Sequence, residues 1–96
     1  MIAIREKCRF PLGELRMTRG AETLLQEAGL GFAPFLERHA SGDWGEVDAA
    51  DREANDEALD AERRLLSAYG VADGQKIWII TESDRSVTTI LLPEEY

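Results

Sequence analysis

The sequence predicts an α+β fold: an N-terminal short strand and helices packed on a C-terminal antiparallel β-meander of three or four strands, in one domain spanning residues 1–96. Three observations lead there. Apolar and alanine side chains recur at helical spacing between residues 21 and 65. Three runs rich in β-branched and aromatic residues follow, each separated from the next by a turn signal. No linker, repeat or low-complexity tract divides the chain, and 96 residues with 44% hydrophobic content suffice for a single core.

From Gly13 to Thr18, Leu15 and Met17 alternate with Glu14, Arg16 and Thr18, the period of a half-buried strand. Ala21, Leu24, Leu25 and Ala28 form one helical stripe that Gly29 is placed to stop. Pro34 suits the first turn of a second short helix carrying Phe35, Leu36 and His39, and Ser41-Gly42 breaks it. A third helix starts with Asp48 as N-cap and runs to about Glu62, with Ala50, Ala54, Ala58, Ala61 and Leu65 as its packed stripe. Strands are expected over Leu65 to Val71, Lys76 to Thr81 and Ser86 to Leu92. Asp73-Gly74 is a type I′ hairpin signal and Glu82-Ser83-Asp84-Arg85 the second turn. Registered on those turns, Tyr69, Trp78 and Thr89 share a row, with Ser67, Ile80 and Val87 on the same face.

The net charge of −8 is concentrated in one window. Asp43 to Glu62 holds nine carboxylates and one base, Arg52, so the remaining residues are balanced. Seven of those acids, Asp48, Asp51, Glu53, Asp56, Glu57, Asp60 and Glu62, span about 22 Å of helix at ~1.5 Å per residue. One charge per roughly 3.2 Å is close to the ~3.4 Å per phosphate of a single DNA strand. The helix dipole favours its early acids, whereas Asp56, Asp60 and Glu62 gain nothing from it. The pattern points to a partner protein with a basic surface, such as a nuclease, defence or nucleic-acid-binding protein. A pI near 4.6 argues against direct binding to nucleic acid or to an anionic membrane.

Other classes are narrowed in the same way. Cys8 is alone, so no disulfide framework forms. Met1-Ile2-Ala3-Ile4 runs into Arg5, Glu6 and Lys7, which is not the pattern of a secretory leader, and no run is long and apolar enough for a membrane span. A cytoplasmic location is expected. No ligand pair has zinc-like spacing and no EF-hand loop is present, so neither metal nor cofactor is expected. Trp44, bracketed by glycines, is either a loop anchor or an exposed aromatic contact for the partner. An alternative reading is a small ribonuclease-like hydrolase using His39 as general base with Arg64 or Arg85 on phosphate. A further alternative is a homo-oligomeric accessory protein associating through Trp44 and the Tyr69/Trp78 face.

The segments Arg38-His39-Ala40-Ser41-Gly42-Asp43-Trp44-Gly45, Leu65-Leu66-Ser67-Ala68-Tyr69 and the run from Ile77 through Trp78-Ile79-Ile80-Thr81-Glu82-Ser83-Asp84-Arg85 to Tyr96 resemble a family of small bacterial proteins. These are carried on plasmids and integrated elements. The resemblance implies a mobile-element setting without an established activity or catalytic residues. In that setting the leading expectation is a non-enzymatic acidic protein that inhibits or regulates a nucleic-acid-processing or defence protein by presenting a DNA-mimic-like helix.

Overall fold

The computed structural model describes residues 8–96; the run Met1–Lys7, on which the leader expectation rests, lies outside them. In chain order the elements are β1 (Glu14–Met17), α1 (Arg19–Ala28), α2 (Ala33–Ala40), α3 (Ala49–Ala61), β2 (Leu65–Ala72), β3 (Gln75–Thr81), β4 (Val87–Leu91) and a 3-10 turn (Pro93–Glu95). The strands form one sheet ordered β1-β4-β3-β2. Strands β2, β3 and β4 make the antiparallel meander, and β1 joins β4 in parallel with Leu15 beside Thr88 and Met17 beside Ile90. A parallel neighbour requires a crossover, and the three helices lie within it. The expected α+β architecture is therefore observed.

The local signals explain the helix ends. The Thr18 hydroxyl accepts the Ala21 N–H at the start of α1, and Gly29, at φ 72°, lets its own N–H reach Gln26 O while Leu30 N–H reaches Leu25 O. Ala21, Leu24 and Leu25 of α1 and Leu36 of α2 pack with Tyr69, Ile77, Ile79 and Ile90 of the sheet. A second apolar cluster joins Phe10, Trp44, Ala58 and Leu65. Both clusters lie on the same face of the sheet, since Tyr69 pairs with Ile77, Ser67 with Ile79 and Leu65 with Thr81.

That register departs from the one expected. Asp73 and Gly74 have φ of 50° and 78°, as a type I′ turn requires, and Ala72 pairs with Gln75. A β-bulge between Gly70 and Ala72 then shifts the ladder by one residue. Tyr69 consequently faces Ile77, and Trp78 lies opposite Ala68 and Leu91 on the other side of the sheet. The second turn sits one residue later than expected: Glu82 N–H bonds to Val87 O, so the connection is Ser83 to Ser86, with Arg85 at φ 61°. Thr81 is thereby set opposite Thr88.

Candidate functional site

The acidic helix forms as α3, with the Asp48 side chain accepting the Asp51 N–H at its start and Glu62 closing it in the left-handed conformation at φ 53°. All seven carboxylates from Asp48 to Glu62 are exposed. Its packed face is not the alanine stripe: Ala50, Ala54 and Ala61 are exposed, and the buried or half-buried residues are Asn55, Ala58 and Leu59. The rotation follows from a polar contact. Asn55 donates to Leu66 O at 2.7 Å and accepts Leu66 N–H at 3.2 Å, satisfying both backbone groups of the outer strand β2. Turned this way, Glu53, Glu57 and Asp60 lie opposite the packed face and Asp56 on its flank, the four within an arc of ~100° at ~100° per residue. They stand at i, i+3, i+4 and i+7, so each has like-charged neighbours, and together the repulsion costs about 1–2 kcal/mol at ~0.2–0.5 per pair. Among the described residues the ion pairs are Arg16–Glu14, Arg38–Asp43, Arg64–Glu82 and Lys76–Glu46, none of which involves α3.

The loop before α3 corrects the assignment of Trp44 as a partner contact. Its indole is 1% exposed, stacks on Phe10 at 6.2 Å between ring centroids, and donates to Asp56 Oδ1 at 3.0 Å. Trp44 is thus the loop anchor, and Asp56 is not surplus to the structure. The backbone of this loop runs beside β2, with Ala68 N–H bonding to Trp44 O and Glu46 N–H to Ala68 O. Gly45 sits at φ 76°, and a Cβ there would lie 2.1 Å from Ala68 O, so the close approach needs glycine. Arg38 completes the loop: its guanidinium bonds to Asp43 at 2.7 Å and lies over the Tyr69 ring, whose hydroxyl donates to Asp43 O. The Arg38 hydrogen bond holds the Asp43 carboxyl below its ordinary pKa, and burial pushes the Tyr69 hydroxyl up to about 12. With Trp44 and Tyr69 buried and Trp78 on the opposite face, the association surface expected from those three residues does not exist.

His39 lies at the centre of a sealed polar chain. It is 0% exposed, as are Ser67, Thr81 and Thr88. Ser67 Oγ is 2.6 Å from Nδ1, Thr81 Oγ1 is 2.9 Å from Nε2, and Thr81 and Thr88 hydroxyls are 2.7 Å apart. The far end fixes every proton. Thr88 donates to Leu12 O at 2.7 Å, so it must accept from Thr81. Thr81 then accepts from His39 Nε2–H, which leaves Nδ1 as acceptor for the Ser67 hydroxyl. Phe10 and Trp44 meet the imidazole edge-on at 5.3 and 5.7 Å. With no charged neighbour bonded to it, burial alone lowers the His39 pKa to about 3. An imidazole with no exposed atom and both nitrogens engaged cannot meet a substrate.

The two arginines proposed alongside it have other partners. Arg85 donates to Arg63 O at 2.6 Å and to Ala58 O at 2.8 Å, satisfying carbonyls at the end of α3. Arg64 lies over the Tyr96 ring, 5.6 Å from its centroid, and bonds to its hydroxyl. No group of three or more His, Cys, Asp or Glu side chains converges on a metal position among the described residues. No described helix is long and apolar enough to cross a membrane. Comparison with protein-family models, curated proteins and solved structures gives no match to the chain.

Two features of this region were missed by sequence reasoning. Asn55 carries its own signal, a lone carboxamide inside a run of carboxylates and alanines. The hydroxyl chain has none, because Ser67, Thr81 and Thr88 are ordinary strand residues until the bulge places them on one face.

Proposed function

We propose that the protein is a non-catalytic binding protein that presents α3 to a basic protein surface, in the manner of a nucleic-acid backbone. The observation that carries this reading is the outward stripe of Glu53, Asp56, Glu57 and Asp60, exposed and outside the ion pairs formed by the described residues. Asp56 is accounted for by its bond to the Trp44 indole, but Glu53, Glu57 and Asp60 bond to nothing among the described residues that would require a carboxylate there. Their mutual repulsion is relieved when a basic surface docks. The resemblance to mobile-element proteins supports a partner among nucleic-acid-processing or host-defence proteins, inhibited or regulated by charge mimicry.

The test is capture of tagged protein from host lysate at low and high salt, with the eluate identified by mass spectrometry. A nucleic-acid-processing or defence protein is expected at low salt and lost at high salt, as for charge-steered complexes. The triple variant Glu53→Lys, Glu57→Lys, Asp60→Lys should abolish capture with the circular dichroism spectrum retained. Asp56 is left in place because it holds Trp44. Capture that survives this variant refutes the proposal.

A further inference from the structure

The two edges of the sheet are treated differently. The outer side of β2 is occupied by the Trp44–Glu46 backbone and by Asn55. The outer side of β1 has no neighbouring strand among the described residues. Glu14 N–H and Thr18 N–H point inward to Ser86 O and Ile90 O, so by alternation Leu15 and Met17 direct their N–H and C=O groups outward. An open edge of this kind is a template for another strand.

The side chains narrow the occupant to a second copy of the chain. Five large apolar residues are exposed among those described, and three of them, Leu15, Met17 and Phe32, line one shallow groove with Ile90 along β1. The strand reads acid, apolar, base, apolar from Glu14 to Met17. Laid antiparallel to itself about a twofold axis at Leu15, it sets Glu14 of each copy opposite Arg16 of the other and Leu15 opposite Leu15. Glu14 and Arg16, already ion-paired within each strand at 3.2 Å, then alternate in sign across the seam as one four-membered network, and the two apolar grooves become continuous. The position of α3 permits this pairing despite the −8 charge on each chain. That helix is bonded to β2, at the far edge of the sheet from β1, so the two acidic helices end at opposite extremes of the joined sheet.

We infer that the protein forms a twofold dimer by antiparallel pairing of β1 with β1 of a second copy, making one continuous eight-stranded sheet. The inference does not depend on the proposed partner of α3, and its test uses purified protein alone. Sedimentation velocity or light scattering should give a mass near twice 10.7 kDa, falling to one copy on dilution. Leu15→Lys, at an exposed position, should leave the circular dichroism unchanged and yield the monomer. Glu14→Arg and Arg16→Glu, each creating two like-charge pairs, should each weaken dimerisation about tenfold, and the double swap should restore it. A monomer at all concentrations up to about 1 mM, the range of weak specific complexes, overturns the inference. So does a dimer insensitive to Leu15→Lys, or single charge reversals whose effect the double swap does not undo.

Discussion

Lowering the pH should weaken the fold through His39. Its folded pKa of about 3 lies below the ordinary 6.5, so the unfolded chain takes up a proton that the folded chain refuses. The neutral imidazole contributes fully above pH 6.5, and the contribution is lost as pH falls from there towards 3. At pH 5 the unfolded state is favoured by RT ln(1 + 10^1.5), about 2 kcal/mol, relative to pH 8. That figure is nearly independent of how low the folded value lies, provided it is below about 4. At pH 3, where the folded imidazole itself begins to protonate, the loss reaches about 4 kcal/mol. The structural reason is burial: an imidazolium at this position would sit among Phe10 and Trp44 with no charged partner to stabilise it. Asp43, Asp84 and Glu95, held below their ordinary values by hydrogen bonds from Arg38, Ser86 and Thr18, lose their contributions only at more acidic pH. Urea unfolding at pH 8, 7, 6 and 5, at high salt to screen α3, measures the slope. A wild-type change below about 0.5 kcal/mol between pH 8 and 5 refutes the reasoning, as does the same loss in His39→Gln. If that variant does not fold, wild-type imidazole resonances that titrate between pH 8 and 5 serve equally to refute it.

Other outcomes follow from single contacts. Asn55→Ala leaves the Leu66 N–H and C=O without partners and should cost about 2 kcal/mol in urea unfolding, less the helix-propensity gain of alanine. Gly45→Ala drives a Cβ into Ala68 O and should cost roughly 1–3 kcal/mol, with a red shift of tryptophan emission as Trp44 loosens. Arg85→Ala uncovers the Ala58 and Arg63 carbonyls and should speed amide exchange in the last turn of α3 relative to α1. Glu57→Lys replaces repulsion from Glu53 and Asp60 with attraction, so at low salt it should raise stability by about 1–2 kcal/mol while weakening partner capture.

Much of the fold was legible because its punctuation is local. Gly29, Pro34 and Asp48 act at their own positions, and Asp73-Gly74 makes the turn its residues demand, whereas Thr18, read as a strand residue, proves to be the cap of α1. Facing, by contrast, was not legible beyond the Gly70–Ala72 bulge. A one-residue shift exchanges the two sides of a strand, so Trp78 and Tyr69 could not be placed together or apart from turn chemistry alone. The packed side of α3 was misread for a related reason. An alanine stripe offers little buried area, and one carboxamide that satisfies a strand edge outweighs it. Of the proposed interaction residues, the seven carboxylates are exposed as expected, and Trp44 is withdrawn by its burial.

The chain of hydroxyls around His39 also has a consequence for how the molecule assembles. Its members come from the segment before β1 (Leu12), from α2, and from β2, β3 and β4 (Ser67, Thr81, Thr88), so it closes only when all five have arrived. Any partial structure leaves a polar group stranded in apolar surroundings, which disfavours intermediates and makes unfolding all-or-none. The meander is therefore not expected to fold by itself: a fragment beginning after His39 keeps the three strand hydroxyls but loses the imidazole that joins Ser67 to Thr81 and the Leu12 carbonyl that ends the chain.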